Sequence, residues 1–282
     1  MKRIIVSTST SCLDYLDKPA NVITLPMNIH LNGNHYLDGK TITNNELATY
    51  LVTHPNSYPE TSAPSESQLI DFFYELVKQG YEEVLILSLS SRLSETYQNI
   101  KEIRAMFASK LNIHLYDTRS VSHGEAVLVY EASKMLRNPD VSVPQIILRL
   151  NQIRAKSTYF ITVDNLKGMI RTKRISAPAG FFANLLNIKP IVICGDEGQF
   201  VAYEKVRSFD KSLSRLAEIV ASEMQGKSGK LYLLSYEKNP HLPQLSQMLG
   251  AMGLYNVPVM PIASVSLANI GVYAMGLLFV ED

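Results

Sequence analysis

The sequence predicts an α/β fold of two domains, an N-terminal α/β/α domain on a parallel sheet and a C-terminal α/β domain on a mixed sheet. Three observations predict it. Apolar runs and helical-period segments alternate through the first half, which implies parallel strands with helices on both faces. In the second half Gly195-Asp196-Glu197-Gly198 joins two apolar runs, so that sheet contains an antiparallel hairpin. The chain has 282 residues and 46% hydrophobic content, enough for a large core divided between two domains. A change of texture near residue 155 sets the expected boundary, 1–154 and 155–282.

Lys2 to Val6 reads as a buried strand. Val22 to Leu31 and His35-Tyr36-Leu37 read as extended chain reversing at Asn32-Gly33, a favoured turn pair. Thr43-Asn44-Asn45-Glu46 and Ser65-Glu66-Ser67-Gln68 have capping-box spacing, each opening a helix. The second runs through Leu69, Phe73 and Leu76 to Gly80, a suitable C-terminal cap. A strand at Val84 to Leu89, a helix through Tyr97, Ile100 and Ile103, a strand at Ile113 to Tyr116 and helices at Gly124 to Leu136 and Val143 to Ile153 follow. Beyond the boundary, strands are expected at Tyr159 to Val163, Ile188 to Ile193, Gln199 to Val206, Lys230 to Ser235, Val257 to Pro261 and Val272 to Phe279. Helices are expected at Pro178 to Leu186, Phe209 to Met224 and Pro240 to Met252.

Composition narrows the function. A net charge of +1, from 27 basic and 26 acidic residues, offers no field for gathering nucleic acid. Cys12 and Cys194 form no CxxC pair, which argues against a zinc site or disulfide framework and for a reducing, cytoplasmic setting. The longest apolar stretch, Ile270 to Val280, is too short to span a bilayer, which takes about 20 residues. No pair of histidines has metalloprotease spacing, no GxSxG elbow occurs, and Gly226-Lys227-Ser228 follows a helix where a P-loop must follow a strand. Only His123 is available as a base for a serine nucleophile.

What remains is a set of hydroxyl-rich breaks. Ser90-Ser91-Arg92-Leu93-Ser94 lies between a strand and a helix, where free N–H groups and the helix dipole favour an anion. Thr61-Ser62-Ala63-Pro64-Ser65 precedes a helix, and Asp117-Thr118-Arg119-Ser120-Val121-Ser122-His123-Gly124 is a third strand-to-helix break with hydroxyls. Ser65 is a helix cap; Thr61 and Ser62, which the capping box does not need, are better ligand candidates. Ser91 and Ser94 suit either turn stabilisation or anion binding. Arg171, Lys173 and Arg174 suit either a solvated basic turn or recognition of carboxylate or phosphate.

This ordered set resembles the DegV family of fatty-acid-binding proteins, the acyl-carrier subunit of a bacterial fatty acid kinase. Thr61-Ser62-Ala63-Pro64-Ser65 is similar to the family's TSQPS, and Ser90 to Gln98 to its SSxLSGTYQ. Asp164-Asn165-Leu166, Lys173-Arg174-Ile175-Ser176, Ile188-Lys189-Pro190-Ile191 and Lys205-Val206-Arg207-Ser208 are similar to its DDL, GGRIS, IKPI and KxRT segments. The departures are equally specific. The family's VTDST stands here as Val6-Ser7-Thr8-Ser9-Thr10 without its acid, Glu95 and Lys173 replace glycines, and Asn269 replaces the histidine of HTGPG. Asn can donate a hydrogen bond but cannot become a cation.

The resemblance implies that a long-chain fatty acid lies between the two domains with its carboxylate among Thr61, Ser62, Ser91, Ser94, Arg174 and Asn269. It implies a partner, a fatty acid kinase that uses ATP to convert the carboxylate to an acyl phosphate, with Arg207 a contact for kinase or phosphate. The chain itself would hold no catalytic residue, metal or cofactor, and would meet a membrane only transiently to exchange ligand. Two alternatives stay open: a regulatory lipid sensor that does not support phosphorylation, and a stand-alone acyl or phosphoryl enzyme.

Overall fold

The computed structural model describes residues 1–176, 181 and 188–282. Strand β1 (Arg3–Thr8) passes through short 3-10 turns at Ser9–Ser11 and Leu13–Tyr15 to β2 (Val22–Leu25). The expected single run from Val22 to Leu31 is broken at Pro26, which has no N–H for a ladder. Beyond it β3 (Asn28–Leu31) and β4 (Asn34–Leu37) form a hairpin whose Asn32 and Gly33 both take positive φ, 52° and 77°. After α1 (Asn44–Thr53), β5 (Glu60–Ser62) pairs antiparallel with β3 and completes a small separate sheet in the order β4-β3-β5. This strand is not expected from the sequence, because three residues are too few for a period to show.

Both expected capping boxes form. Thr43 opens α1, and Ser65 opens α2 (Glu66–Lys78), with its Oγ accepting from Gln68 N and its N–H donating to Gln68 Oε1 at 2.8 Å. Strands β6 (Glu83–Ser88) and β7 (Asn112–Asp117), separated by α3 (Thr96–Ile103), join β1 and β2 in a wholly parallel sheet ordered β2-β1-β6-β7. All six residues of β6 are buried, as a central parallel strand requires. Helices α4 (His123–Leu136) and α5 (Val143–Ala155) cover one face through Ala126, Val129, Ile146 and Leu150; α2 and α3 cover the other through Leu69, Phe73 and Ile100.

The second half builds a mixed sheet from β8 (Ser157–Thr162), β9 (Ile175–Ser176), β10 (Lys189–Cys194), β11 (Phe200–Val206), β12 (Gly229–Ser235), β13 (Val259–Met260) and β14 (Met275–Glu281). Its order is β13-β12-β14-β8-β10-β11-β9. The β10–β11 hairpin turns where expected, with Gly198 at φ +83°. Helices α6 (Lys167–Arg171), α7 (Phe209–Glu223), α8 (Leu242–Ala251) and α9 (Ser264–Ile270) connect these strands. The strand expected from Val257 to Pro261 shrinks to two residues, that from Val272 starts at Met275, and α6 and α9 were not anticipated. The expected helix from Pro178 to Leu186 lies outside the described residues.

The two sheets meet along an apolar seam. Met27, Leu89, Leu93 and Val121 from the first half pack in one cluster with Tyr159, Leu166, Met169, Phe200 and Val265 from the second. The Gly198 turn presses on the loop after β7: a β-carbon there would stand 2.7 Å from Arg119 Cα.

Candidate functional site

Parallel strands end on one edge, so the loops after β1, β6 and β7 emerge together. They bring Thr10, Leu89, Leu93, Ser94, Val121 and Ser122 to the seam. From the small sheet β5 adds Thr61 and Ser62; from the second half come Tyr159, Met169, Arg174, Phe200, Val265, Ser266 and Asn269. Together they enclose a narrow hollow of about 50 Å³ with mostly apolar walls. Outside it lies a wider depression of about 520 Å³, which shares Thr61, Ser62, Leu93, Ser94 and Arg174 and adds Arg92, Arg171 and Lys173. Those five shared residues form the rim between a greasy interior and an exterior of mixed charge, in which Glu60 and Glu95 stand among Arg92, Arg171, Lys173 and Arg174 and Glu60 lies 3.9 Å from Arg171.

The rim is wired by Asn269. Its Nδ2 donates to Thr61 Oγ1 at 3.2 Å and to Val265 O at 2.8 Å, while its Oδ1 accepts from Arg174 Nη1 at 2.8 Å. Arg174 Nε donates to Leu93 O at 2.9 Å, tying the β6–α3 loop to the second half. Burial, with Arg171 nearby, holds the Arg174 guanidinium below its ordinary value. Ser94 Oγ lies 2.9 Å from Thr96 Oγ1 and accepts from Thr96 N at 3.3 Å, so it also serves the start of α3. Ser62 is exposed, 3.4 Å from His30 Nε2.

Two expected residues lie elsewhere. Ser91 is exposed on the outer depression; its Oγ donates to Asp117 Oδ2 at 2.5 Å and its N–H to Asp117 Oδ1 at 3.2 Å. A second anion is poorly placed beside that carboxylate, so Ser91 stabilises the loop and is not a lining residue of the hollow. Arg207 is exposed just after β11, at the end of the strand opposite Phe200, roughly 20 Å along it from the hollow. His123 packs against Tyr232 with the rings tilted 55° and their centroids 4.4 Å apart, beside a different groove. It has no serine partner among the hydrogen bonds of the described residues, and burial pushes it down to about 4.

The two glycine replacements behave differently. Lys173 adopts φ +55°, a left-handed conformation that favours glycine, whereas Glu95 at φ −75° needs no such freedom. Ser122 also takes positive φ, 56°, at the start of α4, where it faces the buried Tyr159 phenol. Sequence reasoning did not select Thr10, Ser122, Tyr159 or Ser266 as site residues. Ser122, inside a hydroxyl-rich loop, and Thr10, inside the Val6 to Thr10 segment, carried a signal; Tyr159 and Ser266 carried none.

Against this geometry stand the comparisons with known proteins. The family model for "Uncharacterised protein, DegV family" matches residues 2–282. A DegV domain-containing protein of Clostridium acetobutylicum is 29% identical over 289 residues, spanning 99% of this chain and 98% of that protein. Among solved structures, the fatty acid binding DegV family protein of Streptococcus agalactiae superposes with a TM-score of 0.87 at 27% identity, covering 100% of this chain and 99% of that one. A stearic acid-binding protein of Eubacterium ventriosum shares the fold, with a TM-score of 0.86 at 23% identity and coverage of 100% and 98%.

Proposed function

The chain belongs to the DegV family, and on that premise we propose that it binds a long-chain fatty acid and presents the carboxylate to a separate fatty acid kinase for ATP-dependent phosphorylation. The observation that carries this reading is the rim: Thr61, Ser94 and Arg174, with Asn269 bridging Thr61 and Arg174 from the inner side, stand at the opening between an apolar hollow and a depression in which four cations outnumber two acids. The tail runs inward and the head stays at the rim, open to the depression where a partner delivers phosphate.

Magnitudes divide the roles. Burying about fourteen methylenes at ~0.8 kcal/mol each contributes roughly 11 kcal/mol before ordering costs. Hydrogen bonds to a charged group contribute about 1.5 to 3 kcal/mol each and mostly offset desolvation of the carboxylate. The tail therefore sets affinity and the rim sets orientation. Arg174 spends two of its five N–H groups on Leu93 O and Asn269 Oδ1, leaving others for the carboxylate. At about 50 Å³ the hollow is far below the ~300 Å³ of common ligand pockets. A tail must therefore part its walls, and Met27 and Met169 are the flexible side chains suited to yield.

Asn269 favours a second reading, a lipid sensor that takes up the acid without supporting phosphorylation, because no imidazolium is available at that position. One experiment separates the cases. Solvent extraction and mass spectrometry of protein made in bacteria should release stoichiometric fatty acid, and emptied protein should take up palmitate or oleate. Adding the kinase and ATP should then yield acyl phosphate. Uptake without phosphorylation selects the sensor; no uptake of either acid defeats both readings.

A further inference from the structure

In Val6-Ser7-Thr8-Ser9-Thr10 the hydroxyls of Ser7, Thr8 and Thr10 converge on an acid from another element, while Ser9 donates to Asp38. Glu125, in the first turn of α4, is fully buried. Its Oε1 accepts from Ser7 Oγ at 3.1 Å, Thr8 N at 3.1 Å and Thr8 Oγ1 at 2.6 Å, and its Oε2 lies 2.5 Å from Thr10 Oγ1. Thr8 Oγ1 and Thr10 Oγ1 are themselves 2.8 Å apart, and Thr8 Oγ1 accepts from Leu89 N at 3.1 Å. Thr10 and Leu89 both line the hollow.

Counting protons decides the charge. Three close contacts, Glu125–Thr10, Thr10–Thr8 and Thr8–Glu125, need three hydrogens. The two hydroxyls supply one each and a carboxylate supplies none, so ionised Glu125 leaves one contact of two oxygens without a proton between them. A neutral carboxylic acid supplies the third. Because Oε1 already accepts from Ser7 and Thr8 N–H, the proton belongs on Oε2. Oε2–H then donates to Thr10, Thr10 to Thr8, and Thr8 to Oε1, closing a directional ring.

We propose that Glu125 is a positioning residue of the acyl site, held as the neutral acid, whose proton closes this ring. The ring joins α4 to the end of β1 and the turn beyond it, Leu89 N ties the loop after β6 to it through Thr8 Oγ1, and the wall behind Thr10 stays uncharged. The inference rests on the acyl-binding reading. Ionised, Glu125 would open the ring and set a negative charge behind a low-dielectric hollow meant for a carboxylate-bearing ligand. Burial raises Glu125 to about 8, outweighing the hydroxyl and amide donors that lower it.

The surroundings offer it no counter-charge. From the turn after β1 it meets Cys12, whose thiol burial pushes up, and, beyond Ser9, the buried Asp38. The facing ends of β1 and β6 bring Ser7, Thr8, Ser88 and Leu89. On its own helix His123 rests on Tyr232, and Tyr159 lies beyond Ser122. The α5 cations are engaged elsewhere, Arg149 with Glu131 and Arg154 with Tyr116 Oη and Asp117 O. Among the described residues no ion pair includes Glu125.

Glu125→Gln tests the assignment, since an amide N–H and C=O can replace the acid in the ring without charge. Ligand-free wild type at neutral pH should show the infrared carbonyl band of a protonated carboxylic acid, absent from E125Q; Asp38→Asn assigns any band from the second buried acid. Wild-type affinity for palmitate should fall about tenfold per pH unit once Glu125 ionises, while E125Q stays flat from neutral to alkaline pH. No such band, or one pH profile shared by both proteins, overturns the proposal. If E125Q does not fold, loss of the wild-type band on raising the pH supports the assignment, and an unchanged or missing band overturns it. If neither protein takes up palmitate at any pH, the acyl reading fails, and the infrared arm alone still decides whether Glu125 keeps its proton.

Discussion

Gly168 on α6 packs directly against the backbone of Asn269 on α9, so close that a β-carbon on the glycine would collide with the Asn269 carbonyl oxygen and stand 3.0 Å from its carbon. The contact holds the asparagine where it can bridge Thr61 and Arg174.

Gly168→Ala should therefore act at a distance from the ligand. Backbone cannot yield as a side-chain tip can, so α9 must shift, at about 1–3 kcal/mol of stability. Palmitate affinity should drop with it. Calorimetry beside a binding titration checks both, and an unchanged dissociation constant would show that the Asn269 bridge is irrelevant to uptake.

Thr61→Ala and Ser91→Ala form a contrasting pair. Thr61 lines the hollow and accepts from Asn269, so its loss should weaken palmitate binding about tenfold. Ser91 is committed to the Asp117 carboxylate, so its loss should cost no more than about 3 kcal/mol of stability and leave affinity alone. Equal effects on affinity would contradict the placement of the head group at the rim.

Ser65→Ala should cost about 1 kcal/mol of stability without touching affinity, because its Oγ caps α2. Denaturant midpoints give the stability, and fluorescent fatty acid displacement gives the affinity. A binding defect larger than the stability loss would return Ser65 to the site.

Asp38 gives stability a pH dependence. Burial raises it from 3.8 to about 6, although Ser9, Ser264 and the first amides of α9 pull it down. A carboxyl raised on folding binds its proton more tightly in the folded state. Its contribution is complete below about pH 4, is lost as pH rises to about 6, and is constant beyond. The limiting slope is ~1.4 kcal/mol per pH unit. Asp38→Asn should flatten that part of the unfolding curve between pH 4 and 6, and parallel curves for the two proteins would refute the assignment.

Sequence carried most of the fold because its signals were local. Capping boxes at Thr43 and Ser65, the Asn32-Gly33 turn and the apolar run of β6 each act within a few residues. The site was legible only in part. Thr61, Ser94, Arg174 and Asn269 sit in recognisable segments and gather at one rim, but Ser91 answers to Asp117, 26 residues away, which no spacing rule reveals. Helix α9 stayed hidden because Ser264–Ile270 is short and mixes β-branched with small residues. Glu125 lay unnoticed inside a helix because its partners are on β1 and the turn beyond it.

The hollow draws its walls from Thr10, Thr61, Ser94, Tyr159 and Asn269, segments spread over most of the polypeptide. A fragment containing one or two of them lacks the remaining walls. Lipid capture should consequently report that folding is complete: in a refolding time course it should recover with the slowest phase, after helical circular dichroism has already returned.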